Sequence, residues 1–310
     1  MAVKKSLRPI PNLELGFQDE GRLARGDFSS LDQGKVIGAG QLRLIMFRDQ
    51  LKRTAGGGYD FSQQDNIVNQ ARARGINAQI VLSNRKGSGM GDPNKYAQFV
   101  KMAAHHFKGR VNRYSLENEP DLRMAPDKYR QLFVRGQKAL GSVDPQARVL
   151  FGELSPHDPV GYTKKVIGNK GLTASGFAWH PYQDTDPLAK GTNPYWGSGG
   201  IGSARTIARQ LGELNLRSKS GKPLGMYATE FGYGRYGNAN VSEADAAKMW
   251  PRAIEQARRA GLREIVAYHL TGNPSSTGWD TGLLNADGTP RMDYNTLAQA
   301  VRSGMLRKRY

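Results

Sequence analysis

The sequence lacks cysteine entirely across its 310 residues. A disulfide scaffold and a cysteine-ligated zinc site are therefore excluded. No apolar run approaches the roughly 20 residues that cross a bilayer, so we expect no membrane insertion. The first residues also lack the apolar segment of a secretory signal, so we expect a cytoplasmic, virion-associated or trimmed secreted protein.

Motifs for cofactor and metal binding are also missing. No dinucleotide fingerprint follows the first predicted strand, and no phosphate-binding Gly-x-x-x-x-Gly-Lys-Ser/Thr loop occurs. Serine residues lack the context of a nucleophile elbow. The sequence therefore predicts no cofactor and no metal. His157, His180 and His269 each follow or end a predicted strand, which leaves a three-histidine metal site as an alternative, although the usual His-x-His and His-x-x-x-His spacings are absent.

The charge balance is strongly basic, with 45 Lys and Arg against 27 Asp and Glu and a net charge of +18. Such a charge attracts polyanions over long distances. The basic residues are dispersed, apart from small groups at both ends of the chain, and no zinc-finger spacing or RNP-like aromatic strand accompanies them. We therefore expect no specific nucleic-acid binding, while an anionic envelope polymer stays open as a partner.

Short apolar segments alternate with helix-like segments along the chain. Because the apolar segments are nearly continuous, they are typical of parallel strands buried on both faces. The predicted strands cover residues 13–17, 41–47, 77–82, 112–116, 148–152, 174–179, 225–228 and 263–269. Strand starts lie far enough apart for a crossover helix each time. Eight such units predict an α/β fold with a single (β/α)8 barrel, formed by residues 1–310 as one domain with short basic tails.

Two glutamates follow predicted strands directly. Glu119 lies in Tyr114-Ser-Leu-Glu-Asn-Glu-Pro120, after the fourth strand, and Glu230 lies in Met226-Tyr-Ala-Thr-Glu-Phe-Gly232, after the seventh. The carboxyl ends of barrel strands form one rim, where active sites of this fold lie. Cleavage of a glycosidic bond requires such a pair of carboxyl groups. We therefore predict that Glu119 and Glu230 are catalytic.

The segments Asn118-Glu-Pro120 and Thr229-Glu-Phe-Gly232 resemble the strand-four and strand-seven motifs of clan A retaining glycoside hydrolases. Within this "4/7" superfamily, the chain looks most similar to family 39-like and family 5-like barrels. The resemblance extends from about Leu13 to Leu297, and Gly282-Leu-Leu-Asn-Ala-Asp-Gly-Thr-Pro290 is similar to the segment after strand eight.

The resemblance implies a role for each matching residue. Glu119 would be the general acid/base and Glu230 the nucleophile, and the negative charge of Glu230 would raise the pKa of Glu119. Asn118 would bind the 2-hydroxyl of the sugar. Arg43 would orient the nucleophile, and His180 and Tyr182 match a His-x-Tyr pattern that lines the same site.

Some positions depart from the clan pattern. Glu117 stands directly before Asn118, and we expect it to point into the barrel or to pair with a base such as Arg113. The strand-eight tryptophan that often forms the floor of the sugar site is not evident, so Trp279 is expected to supply that surface. The long segment 183–202 follows a strand's carboxyl end and carries Trp196, which we predict to bind substrate as part of a cleft wall.

These observations predict a retaining O-glycoside hydrolase that acts on a poly- or oligosaccharide, with an anionic or cell-envelope glycan as one substrate class. Two alternatives stay open. One is a non-catalytic carbohydrate-binding barrel in a larger envelope or virion assembly. The other is a polyanion-binding protein driven by the positive charge, which would require clustered basic residues with interleaved aromatic residues.

Overall fold

The computed structural model describes residues 13–85, 92–182, 200–235, 241–273 and 279–303. Eight parallel strands form a closed barrel in the order β1-β10-β9-β7-β5-β4-β3-β2. The barrel strands are β1 Glu14–Gln18, β2 Gln41–Phe47, β3 Asn77–Ser83, β4 Arg113–Leu116, β5 Arg148–Leu154, β7 Gly176–Trp179, β9 Met226–Phe231 and β10 Glu264–Tyr268. Each predicted strand overlaps one of them, and the second has the predicted bounds. The predicted (β/α)8 barrel is therefore confirmed.

Helices connect the strands and cover the outside of the barrel. They are α1 Glu20–Ala24, α2 Ser29–Val36, α3 Ser62–Ala73, α4 Pro93–Phe107, α5 Pro126–Gly141, α6 Pro159–Ile167, α7 Ala204–Glu213, α8 Glu243–Ala260 and α9 Met292–Arg302. Two further short strands, β6 Leu172–Thr173 and β8 Leu216–Arg217, pair with each other outside the barrel. In the described part of the chain, no helix is both long and apolar enough to cross a membrane.

Local sequence signals explain several helix starts. The side chain of Asp92 accepts a hydrogen bond from the backbone N–H of Asn94 at 2.8 Å, and Pro93 occupies the first turn, where its missing N–H costs nothing. Ser242 caps α8 in the same way, through the backbone N–H of Asp245. These caps fix where each helix leaves the rim of the barrel.

The hydrophobic core lies between the barrel and its helices. Aromatic side chains of α5 pack on β5, where the rings of Phe133 and Phe151 are 5.1 Å apart. The ring of Trp250 in α8 packs edge-on against Phe231 of β9 at 5.1 Å, so Trp250 is a core residue, as its helical spacing predicts. This packing holds the strand ends that carry the polar rim residues.

Candidate active site

The two predicted catalytic glutamates lie at the same end of the barrel. Glu119 follows β4, in a left-handed backbone conformation with φ of 44°, and its N–H donates to the carbonyl oxygen of Glu153 at 2.8 Å. Glu230 is the fifth residue of β9, the seventh strand of the barrel in chain order. Its side chain is only 6% exposed, whereas that of Glu119 is 28% exposed. Both carboxyl groups reach the carboxyl-terminal rim.

The carboxyl groups of Glu119 and Glu230 are close together. One oxygen of each, together with one ring nitrogen of His180, lie within 4.8 Å of one another. The Nδ1 atom of His180 is 2.9 Å from Oε1 of Glu119 and 3.5 Å from Oε2 of Glu230. Retaining glycosidases hold their carboxyl groups about 5–5.5 Å apart, and inverting enzymes about 6.5–9.5 Å apart. The upper limit of 4.8 Å between these oxygens is closer to the retaining separation than to the inverting one.

Arg43 lies in the middle of this rim. Its guanidinium group donates to Oε1 of Glu230 at 2.7 Å and to Oδ1 of Asn118 at 2.6 Å, and it also bonds Gln18. Because the amide oxygen of Asn118 accepts from Arg43, the NH₂ end of that amide is the end that can donate to a ligand. Arg43 is thus placed to orient both Glu230 and Asn118.

Tyr182 and Trp279 lie beside Glu230. The hydroxyl of Tyr182 donates to Oε2 of Glu230 at 2.7 Å. Burial, and then the charge of Glu230, hold the pKa of Tyr182 well above its usual value, so the phenol keeps its proton. The ring of Trp279 stands perpendicular to that of Tyr182 at 5.3 Å and is 38% exposed. Trp279 therefore presents an aromatic surface at the edge of the site.

A third carboxylate, Glu153, lies in the site, and the sequence prediction missed it. Glu153 is the sixth residue of β5 and is fully buried. It accepts from Arg43 at 2.8 Å and from Nε2 of His180 at 3.2 Å. The sequence does contain a signal for Glu153, because this residue directly follows an apolar strand segment, as Glu230 does. The predicted strand ends at Gly152, directly before Glu153, whereas β5 continues to Leu154.

The charges of these groups favour a protonated His180. Burial lowers the pKa of the ring, but the charge of Glu230 and the hydrogen bonds to Glu119 and Glu153 outweigh it and raise the pKa to about 10. Burial raises the pKa of Glu119, yet the hydrogen bond and charge of His180 outweigh that effect, and the net pKa is lowered. The expectation that Glu230 would raise the pKa of Glu119 is therefore wrong for the site as it stands, because a cation lies between the two carboxylates.

Glu119, His180 and Glu230 also form the group of potential metal ligands in the described residues, and His157 and His269 do not belong to it. Both ring nitrogens of His180 already face carboxylates. A doubly protonated imidazole has no lone pair to offer a metal. The donor set therefore fits hydrogen bonding between His180 and the carboxylates better than metal coordination.

The neighbouring Glu117 is buried and accepts from Ser83 at 3.0 Å and from Arg123 at 3.5 Å. Burial raises its pKa to about 8, although the charge of Arg123 opposes this shift. Glu117 therefore pairs with a base, as one of the two alternatives predicts, but the base is Arg123 and not Arg113. Arg113 lies at the start of β4 and bonds Glu264 at the opposite end of the barrel.

Three predicted features cannot be placed. Trp196 and nearly all of the segment predicted to form a cleft wall lie outside the described residues, as do the basic groups at both chain ends.

A cavity of about 660 Å³ opens next to the site, and Gln18 and Tyr268 line it where it approaches Arg43 and Tyr182. It is lined by residues of β1, β2 and β10 and of helices α1 and α3, and β1 and β10 lie across the barrel from β4. Its outer part carries the exposed cations Lys52 and Arg85. The volume lies within the range of about 300–1,000 Å³ that is typical of ligand sites.

No protein-family model and no curated protein matches the chain. Solved structures do match. A family 39 glycoside hydrolase from the gut symbiont Bacteroides cellulosilyticus WH2 superimposes with a TM-score of 0.77 at 20% identity, over 97% of this chain and 65% of that one. A monomeric β-xylosidase from Caulobacter crescentus CB15 gives a TM-score of 0.68 at 16% identity, over 94% of this chain and 68% of that one.

A broad-specificity family 5 endoglucanase from Clostridium cellulovorans gives a TM-score of 0.67 at 16% identity, over 94% of both chains. The chain thus spans about two thirds of the length of the family 39 structure and nearly all of the endoglucanase. At these identities the similarity establishes the fold. The chain therefore has the (β/α)8 barrel fold that these family 39 and family 5 structures have.

Proposed function

We propose that the protein is a retaining O-glycoside hydrolase. The observation that carries this proposal is the distance between Glu119 and Glu230, whose nearest oxygens lie within 4.8 Å on one rim of the barrel. Their surroundings differ as the reaction requires. Glu230 is fixed by donors from Arg43 and Tyr182, one on each oxygen, while Glu119 is the more exposed carboxylate and contacts a proton-bearing histidine.

In this mechanism Glu230 attacks the anomeric carbon while Glu119 protonates the departing glycosidic oxygen. A covalent glycosyl-enzyme forms on Glu230. Glu119, now a carboxylate, takes a proton from water, which attacks the same carbon and releases the sugar with its original configuration. Asn118 donates from its amide to the sugar 2-hydroxyl, and Trp279 packs against a sugar face.

We further propose that the substrate is an oligo- or polysaccharide. The leaving group must lie beside Glu119, so the retained part of the glycan extends to the opposite side of the barrel, where the 660 Å³ cavity lies. The cations Lys52 and Arg85 at that cavity, with the net charge of +18, favour an anionic glycan such as a cell-envelope polymer.

A panel of plant, exopolysaccharide and cell-wall glycans, with product analysis by NMR, tests the proposal. We expect hydrolysis of at least one glycan, with the first-formed product in the configuration of the substrate, and loss of hydrolysis in Glu230→Gln. Product of inverted configuration would contradict the retaining mechanism. Binding of a glycan without turnover would favour the alternative of a non-catalytic carbohydrate-binding barrel.

A further inference from the structure

Glu153 takes no part in the mechanism above, yet it is the most heavily hydrogen-bonded carboxylate in the site. Its Oε2 accepts from Nε and Nη2 of Arg43, at 3.2 and 2.8 Å, and from Nε2 of His180 at 3.2 Å. Its Oε1 accepts from Gln79 at 3.0 Å and from Ser115 at 2.5 Å. Its backbone is held in the left-handed region, with φ of 55°.

The imidazole of His180 thus bridges two carboxylates. Nε2 faces Glu153, which is fully buried, and Nδ1 faces Glu119, which reaches solvent. An accepting carboxylate on one ring nitrogen decides which nitrogen keeps a proton when the ring is neutral. Here Glu153 holds the proton on Nε2, and the proton that can move is the one on Nδ1.

We propose that Glu153 is a positioning residue. It holds His180 so that the imidazole stores a proton on Nδ1 and gives it to Glu119, which makes His180 the proton store of Glu119. The inference rests on the proposed function. Burial raises the pKa of Glu153, but the charge of Arg43 and the hydrogen bond and charge of His180 outweigh burial and lower it to about 2, so Glu153 stays ionised throughout.

The proton balance of the cycle follows from this arrangement. In the resting site, His180 is an imidazolium that donates Nδ1–H to ionised Glu119. The Nδ1 proton crosses to Oε1 of Glu119, which becomes the carboxylic acid, and His180 becomes neutral with its proton on Nε2. Glu119 then gives that proton to the glycosidic oxygen. In the second step, Glu119 takes a proton from water and returns it to Nδ1, which restores the resting state.

The groups that face His180 come from four strands or strand ends. Glu119, Glu153 and Glu230 supply negative charge from β4, β5 and β9, and Arg43 on β2 pairs with Glu153 and Glu230 behind them. Glu153 is the one of these carboxylates that the reaction leaves unchanged. It therefore keeps attracting the proton on Nε2 after Glu230 has become an ester and Glu119 has changed its charge.

NMR of ¹⁵N-labelled protein tests the inference without a substrate, with the His180 signals assigned by their loss in His180→Gln. We expect the wild-type ring to be doubly protonated at pH 8, and to lose the Nδ1 proton and keep Nε2–H at higher pH. A ring that is already neutral at pH 8, or one that keeps Nδ1–H when neutral, would overturn the inference. This measurement needs no variant of Glu153.

Glu153→Gln sharpens the test, with circular dichroism as a check of folding. We expect the pKa of His180 to fall by at least one unit, because one facing charge is lost. Glu264→Gln is the matched control, since Glu264 is an equally buried carboxylate that pairs with an arginine at the other end of the barrel. An unchanged titration in Glu153→Gln, or an equal shift in Glu264→Gln, would contradict the inference.

Once a substrate is known, the pH dependence of kcat/KM gives a second readout. The alkaline limb should move to lower pH in Glu153→Gln by the amount seen in the NMR titration, and should not move in Glu264→Gln. If His180 titrates as expected but no glycan is hydrolysed, the proposed function fails while the positioning of His180 stands. If a glycan is hydrolysed and the alkaline limb does not move, the proton store is wrong while the glycosidase stands.

Discussion

The two ends of the barrel each bury a cluster of arginine and carboxylates, but they differ in how those charges are used. At the amino-terminal end, Arg113 crosses the barrel from β4 to Glu264 on β10 and also contacts Glu14 at 3.2 Å. At the carboxyl-terminal end, Arg43 contacts Glu153 and Glu230. The Arg113 cluster links two strands on opposite sides of the barrel. The Arg43 cluster lies beside Glu119, which is accessible to a ligand.

Backbone geometry separates the two ends further. Glu117, Glu119 and Glu153 have φ values of 80°, 44° and 55°, and all three lie at the carboxyl-terminal end. A non-glycine residue with a positive φ carries backbone strain of about 1–3 kcal/mol, and this conformation persists only where the surrounding structure fixes it. Arg113 and Glu264 lie in regular strands instead. Strain together with convergent carboxylates is the pattern expected of the proposed active site, whereas an ion pair in regular strands is the pattern expected of a stabilising contact.

The largest expected effect is that of Glu230→Ala. Activity on a confirmed glycan should fall by several orders of magnitude, because no other group attacks the anomeric carbon. A small external nucleophile such as azide should restore turnover and give a glycosyl azide of inverted configuration. Kinetics with product NMR measures both. Rescue with retained configuration would mean that the roles of the two glutamates are exchanged.

Glu119→Ala should lower activity by about 10²–10⁴-fold on substrates with poor leaving groups, since proton transfer is lost. Substrates with very good leaving groups need no protonation, so their first step should be spared. Azide should then restore turnover with net retention, because azide needs no general base. A loss of activity that is independent of the leaving group would count against Glu119 as the acid.

Glu264→Gln should act on stability alone. Removal of one partner from a buried ion pair costs about 3–5 kcal/mol, and in this variant Arg113 keeps only the partly exposed Glu14 as an acidic partner. Denaturant unfolding measures this loss, and kcat of the folded fraction should stay at the wild-type value. A drop in kcat without a loss of stability would contradict the claim that the amino-terminal cluster acts on stability and not on catalysis.

The last variant, Glu117→Gln, should change only how stability depends on pH. The pKa of Glu117 is raised from 4.5 to about 8 in the folded protein. The folded state therefore binds this proton more tightly than the unfolded state, and the associated stability is lost as pH rises from about 4.5 to 8. The free energy of unfolding of the variant, relative to that of wild type, should therefore be higher at pH 9 than at pH 5. Denaturant unfolding at both pH values measures this difference. An equal difference at the two values would show that Glu117 does not titrate in this range.

Much of the barrel could be predicted because buried parallel strands leave a nearly continuous apolar signal. Glu119 and Glu230 were found because each follows such a strand, and strand ends share one rim. The same reasoning misses Glu153 because the apolar run of the sequence ends at Gly152, whereas β5 continues to Leu154 with a bulge beside β7.

Contacts between distant strands could not be predicted. Strand positions place Arg43 and His180 on one rim, but the sequence does not show that His180 bridges Glu119 and Glu153. Without that contact, the pKa of Glu119 was expected to rise, whereas the adjacent imidazolium lowers it. The left-handed backbone at Glu119 was also hidden, since the sequence there carries no glycine to indicate it.

Mass spectrometry of a trapped glycosyl-enzyme tests the central claim most directly. The protein is incubated with activated 2-deoxy-2-fluoro glycosides that match the hydrolysed glycan, which form the covalent intermediate but release it slowly. We predict one sugar label per chain, on the peptide that contains Glu230, and no label in Glu230→Gln. A label on another residue, or hydrolysis of the glycan with no trapped intermediate and inverted product, would contradict the assignment of Glu119 and Glu230 as a retaining pair.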